Sequence, residues 1–147
     1  MDRTAALEYI GKAYPKLLTS ADISADEADL GTSVDDALMD LGYEYAELAT
    51  AEPSGEEIKP YRALLRYHGL VAIEAAHSDE EKAIGADLKG DGGIIEHESE
   101  VLKQIRRMLN RALEACENLG VTPGSNSTGY GAFILNQIEG GDDGGEG

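Results

Sequence analysis

Residues 61–76 read YRALLRYHGLVAIEAA, and this stretch decides the fold. Tyr61, Leu64, Leu65, Tyr67, Leu70, Val71 and Ile73 put apolar side chains nearly all round a helix, not along one stripe. A helix of that kind belongs at the centre of a bundle. Ala63, Ala72, Ala75 and Ala76 let neighbouring elements approach closely. The helix starts near Glu57 or Ile58, and Pro60 suits its first turn, where no N–H partner is lost. The pattern ends near His77 and Ser78.

On the N-terminal side, Val34, Leu38, Leu41, Tyr45 and Leu48 recur at helical spacing. They predict a helix over 33–50, with Ser33 as N-cap and Asp36 three residues on. Glu52-Pro-Ser-Gly55 breaks it. Leu7, Ile10, Tyr14 and Leu17 predict a first helix over Asp2–Leu18, which Pro15 should end or kink. The small, acidic residues 19–32 between these helices read as a loop or a short helical turn.

On the C-terminal side, residues 84–95 hold four glycines and read as an irregular segment or short hairpin. A last helix follows over Glu96–Asn118. Val101, Ile105, Met108, Ala112 and Cys116 form its stripe, flanked by Leu102, Leu109 and Leu113, and Gly120 is its C-cap. Residues 122–131 form a polar linker, followed by the apolar run Tyr130, Phe133, Ile134, Leu135 and Ile138 and a Gly/Asp-rich end. The expected fold is all-α: a small bundle of about four helices with a short irregular or β-hairpin insertion and an extended C-terminal arm. Residues 1–120 form the helical domain; residues 121–147 form a flexible linker and the arm.

The chain has 147 residues, enough to bury one core without a disulfide or metal staple. Twenty-nine acids against twelve bases give a formal charge of -17, which opposes gripping nucleic-acid phosphates or an anionic membrane. Between Leu17 and Ile58 lie twelve acids and no Lys or Arg, whereas the signs nearly balance from Lys59 to Arg111. An uneven charge of this kind fits an acidic face that meets the basic face of a neighbour, a solvated surface, or a salt-loving host. The single cysteine excludes an internal disulfide. No run of 18 apolar residues predicts a membrane span, and the first residues lack the order of a signal peptide.

No motif for catalysis, a cofactor or a metal stands out. Asp87 to Glu98 has part of a calcium-loop pattern, with Asp91 at position 5, Gly92 at 6, Ile94 at 8 and Glu98 at 12. Lys89 at position 3 and Ile95 at position 9 contradict it, so the expectation is a plain turn. His68 reads as a hydrogen-bonded core residue, and His77 and His97 as capping or exposed residues at helix ends. Cys116 reads as core packing; its neighbours Glu114 and Glu117 would not lower its pKa. Arg106, Arg107 and Arg111 read as charge partners within or between subunits. The apolar run at 130–138 is strand-like and solitary. A lone strand is not stable by itself, so the run joins the sheet edge of a partner, pairs with a hairpin at 84–95 of its own chain, or covers part of the helical core; the partner is the favoured reading.

The order of these parts resembles that of the bacteriophage head–tail connector, or head-completion adaptor, proteins. The resemblance lies in short N-terminal helices, the acidic helix Ser33–Thr50, the Ala/Leu-rich helix Tyr61–Ala76, the irregular segment Ile84–Ile95, the long helix Glu96–Asn118 and the arm Tyr130–Ile138. It covers most of the chain and is one of pattern. It implies a structural, non-enzymatic virion protein of the neck, assembled in the host cytoplasm without a cofactor. About a dozen copies would form a homo-oligomeric ring under the portal protein, extend the DNA channel without binding DNA specifically, and dock the next neck or tail-completion protein. The arm residues Tyr130, Phe133, Ile134, Leu135 and Ile138 would attach to the portal. Arg106, Arg107 and Arg111 would pair with acids of the adjacent subunit. An acidic DNA-mimic inhibitor and a degenerate EF-hand-like calcium-binding helical module are the alternative readings.

Overall fold

A computed structural model of the chain describes residues 1–88 and 100–124, with side chains described for 1–78 and 100–124. These residues build an all-α bundle of five α-helices and two short 3-10 turns, and among them there is no strand. The helices are α1 (Arg3–Ala13), α2 (Pro15–Ser20), α3 (Glu27–Asp40), α4 (Ile58–Leu88) and α5 (Glu100–Asn118). The two turns are Tyr45–Glu47 and Gly55–Glu57.

α4 is the central element and packs against α1, α3 and α5. Tyr61, Ala63, Leu64, Leu65, Leu70 and Ile73 are buried on it, so the all-round apolar pattern does mark the middle of the bundle. At Gly69, α1 comes so close that an added Cβ would lie 2.8 Å from Ile10 Cγ2. On α5, Leu102, Ile105, Ala112 and Cys116 face the core, while Arg107, Asn110 and Arg111 are exposed.

The helix ends differ from expectation in three places, each for a local reason. Pro15 does divide the first helix: Tyr14 leaves helical geometry and Pro15 opens α2. The second predicted helix is displaced. α3 starts at Glu27, because the Asp26 carboxylate caps it by accepting the Asp29 N–H at 3.0 Å. Ser33 is therefore buried in mid-helix, where its hydroxyl donates to the His68 carbonyl at 3.2 Å. α3 also stops ten residues early. Gly42 takes φ +106°, with Gly42 N–H donating to Met39 O and Tyr43 N–H to Leu38 O. This paired closure ends a helix on a left-handed residue. It recurs after α2, with Asp22 at φ 58°, and after α5, with Gly120 at φ +81° as expected. Each time the next residue, Tyr43, Ile23 or Val121, packs on the core.

The third correction concerns α4, which continues to Leu88. Residues 84–88 are therefore helical and not part of a hairpin. His77 is accordingly inside a helix, and it is buried, not exposed or capping. Its Nε2 makes no hydrogen bond among the described residues. Residues 89–99, which include His97 and most of the calcium-like stretch, lie outside the described residues.

A single arginine joins the N-terminal elements. Arg3 donates to Glu27 through Nε and Nη2 at 2.7 and 2.8 Å, and to Asp35 through Nη1 at 2.7 Å. The same guanidinium reaches the carbonyls of Gly31 and Leu48, both at 3.2 Å. Its fixed fork lets one side chain tie α1 to α3 and to the turn at 45–47. The Glu27 carboxyl is held below its ordinary range by the Arg3 hydrogen bond.

Candidate functional site

The last residue of α3, Asp40, is fully buried, and its charge is matched from two directions. His68 on α4 approaches with Nε2 at 2.6 Å from Asp40 Oδ2, and the side chains are 9% and 0% exposed. A carboxylate in its charged form can only accept, so with Asp40 in that form the Nε2–H is the donor. The second partner comes from beyond α5. The Gly124 N–H donates to both Asp40 oxygens at 3.1 Å.

Two neighbouring side chains contact His68. Ser33 reaches the His68 carbonyl, and Tyr67 stands edge-on to the His68 ring, 5.3 Å between centroids at 87°. Asp36, one turn before Asp40, has its carboxyl raised above the ordinary range by burial, although the nearby His68 pulls the other way. Cys116 is buried, and burial pushes its thiol up to about 11. A thiol raised that far is protonated at neutral pH and packs as an apolar group. Among the described residues no hydroxyl or thiol hydrogen-bonds to the His68 ring. The junction thus holds elements together: α3, α4 and the chain that follows α5 meet on one carboxylate.

Val121–Gly124 was expected to be the start of a free linker. Its first residues are instead fastened to the body, Val121 against the core and Gly124 on Asp40. The five arm residues, Tyr130, Phe133, Ile134, Leu135 and Ile138, lie outside the described residues. Gly124, six positions before Tyr130, is held at the α3–α4 junction.

A second feature lies where α1, α4 and α5 meet. A groove of about 250 Å³ is lined by Tyr14, Arg66, Met108, Arg111, Ala112 and Ala115. Arg66 donates to the Tyr9 hydroxyl, and the Arg62 guanidinium lies 5.7 Å over the Tyr9 ring. These arginines rest on tyrosines, not on carboxylates. Burial pushes the Tyr14 hydroxyl up to about 12, with Arg66 pulling it down. The three arginines singled out in the sequence are thereby separated in role. Arg106 pairs with Glu74 of α4 in its own chain at 3.1 Å, Arg107 is exposed, and Arg111 borders the groove.

The acidic stretch is also divided. Asp40 is consumed by His68 and Gly124, and Glu27 and Asp35 by Arg3. Asp22, Asp29, Glu44, Glu52 and Glu56 remain exposed. Among the described residues no group of three His, Cys, Asp or Glu is placed to hold a metal ion. No described helix is long and apolar enough to cross a membrane. Comparison with protein-family models, with curated proteins and with solved structures gives no match.

Proposed function

We propose that this chain is a structural adaptor of the head–tail connector class. In this reading it forms a ring beneath a viral portal, extends the DNA channel, docks the next neck or tail component, and attaches through the arm at 130–138. It belongs to the neck of the virion and is assembled in the host cytoplasm. The observation that carries the reading is the anchor at Gly124. An adhesive segment is most effective when its root is fixed, because less freedom is lost on binding. Here Gly124, six positions before the apolar run begins, is held on the helical body by a buried carboxylate. The acidic surface suits a channel past which DNA must slide, since like charge prevents it from sticking.

Deleting residues 130–147 tests this reading, because the cut leaves the Gly124 anchor intact. The expected result is a folded body whose melting temperature shifts by less than about 3 °C. Binding to portal protein should be weakened by roughly 100-fold or more, as expected for loss of the main anchoring residues. A truncated chain that unfolds would make the run part of its own core. Portal binding of undiminished strength would remove the arm from the interface.

The exposed acids Asp22, Asp29, Glu44, Glu52 and Glu56 favour a second reading, an inhibitor that imitates nucleic-acid phosphates. That reading leaves the apolar run at 130–138 without a use.

A further inference from the structure

The groove and one exposed turn are complementary in chemistry. Tyr45 is the most exposed large apolar side chain among the described residues, at 85%. A tyrosine carries a large rigid ring and a polar tip, the kind of side chain enriched at interfaces. It stands on the turn Tyr45–Glu47, which is held rigid: the Glu44 N–H donates to Glu47 Oε1 at 2.8 Å, and the Glu47 N–H to Glu44 O at 2.8 Å. The turn therefore presents an aromatic ring flanked by two exposed carboxylates.

The groove offers the reverse. Met108, Ala112, Ala115 and the Tyr14 ring give it apolar walls, and Arg66 and Arg111 border them. In a chain with 29 acids against 12 bases, arginines should find carboxylates easily. Yet neither Arg66 nor Arg111 forms an ion pair among the described residues. A cavity of ~150 Å³ holds a benzene ring, and this groove, at about 250 Å³, has room for a phenol.

We propose that copies of this chain join through this pair of surfaces, with Tyr45 of one copy seated in the groove of the next and Glu44 and Glu47 meeting Arg66 and Arg111. The two surfaces share no residue. One contact therefore leaves a free knob and a free groove, a head-to-tail arrangement that gives a closed ring where the rotation between copies closes and a filament where it does not. The proposal deepens the ring reading above by naming the contact between its subunits. The occupant is a second copy because the acidic turn and the basic groove are both present on every chain, with opposite charge.

Sedimentation velocity of the full chain tests the contact, at protein up to about 1 mM and salt near 50 mM, where screening between exposed charges is weak. Self-association is expected, and it should weaken as salt rises. Tyr45→Ala and Arg111→Glu alter exposed side chains, so each should keep the helical circular dichroism of the parent. Each should weaken self-association by about tenfold or more. Mixing Arg111→Glu with Glu44→Arg should restore part of it, because the reversed charges meet across one interface. A chain that stays monomeric under these conditions overturns the contact, as does association indifferent to both substitutions. Portal binding is measured separately. Its loss with self-association intact would sink the connector reading and leave this contact standing, and the converse result would do the opposite.

Discussion

Replacing Asp40 by alanine is expected to lower the stability of the fold by about 3 kcal/mol, the low end for breaking a buried charged pair. The substitution strips the buried His68 ring of its side-chain partner. It also releases the Gly124 N–H, which spans 84 positions of sequence to reach Asp40. At the few degrees per kcal/mol usual for chains of this size, the melting temperature should fall by roughly 10 °C. Asp40→Asn keeps an acceptor for one partner and should cost about half as much. Thermal unfolding followed by far-ultraviolet circular dichroism reads both. Hydrogen exchange at the Gly124 amide reads the local effect, and in Asp40→Ala its protection should vanish even where the body stays folded. An unchanged melting temperature with Gly124 still protected would mean that the junction is incidental.

The second large effect is expected where α1 meets α4. Gly69 lies in the middle of α4, where glycine ordinarily costs ~1 kcal/mol relative to alanine. Its presence is explained by Ile10, whose Cγ2 would lie 2.8 Å from a new Cβ and which is fully buried with no room to retreat. Gly69→Val should therefore cost about 3 kcal/mol, as overpacking of a close helix contact does. Ile10→Ala should cost about 3 kcal/mol for the opposite reason, a cavity. The two sites touch, so their effects should not add. In the Ile10→Ala background, Gly69→Ala should become stabilising, because the clash is gone and the helix propensity remains. A urea denaturation cycle of the four proteins measures this directly. Strict additivity would show that the two helices do not meet as described.

Much of this architecture is legible along the chain, and what is not has identifiable causes. The all-round apolar pattern at 61–76 needs no long-range information, and it marks the central helix correctly. Val34, Leu38, Leu41, Tyr45 and Leu48 mislead because their spacing continues past Gly42. The left-handed turn at that glycine ends α3, and Tyr45, on the same stripe, faces water. The Asp26 cap is hidden among acids that all look alike. α4 outruns its apolar pattern because Glu80, Glu81, Lys82 and Ala83 are good helix formers without an apolar stripe, and this also hides the burial of His77. The site is harder still. Asp40, His68 and Gly124 are far apart in sequence and share no motif; only the prior expectation that His68 is a hydrogen-bonded core residue pointed there. Arg3 carried a weak signal, as the one arginine ahead of a long stretch with acids and no bases. Arg66 and Arg111 become a pair only when α4 and α5 pack. The arm at 130–138 and the calcium-like stretch from Lys89 to Glu98 are sequence observations, since they lie outside the described residues.

The central claim is that this chain is a ring-forming adaptor for a portal. The most direct test is the mass of the purified full chain in solution, with and without a portal protein, by light scattering after size separation. The account predicts a large complex with portal in which several copies of this chain are bound at a fixed stoichiometry. A chain whose mass is the same with and without portal would contradict it.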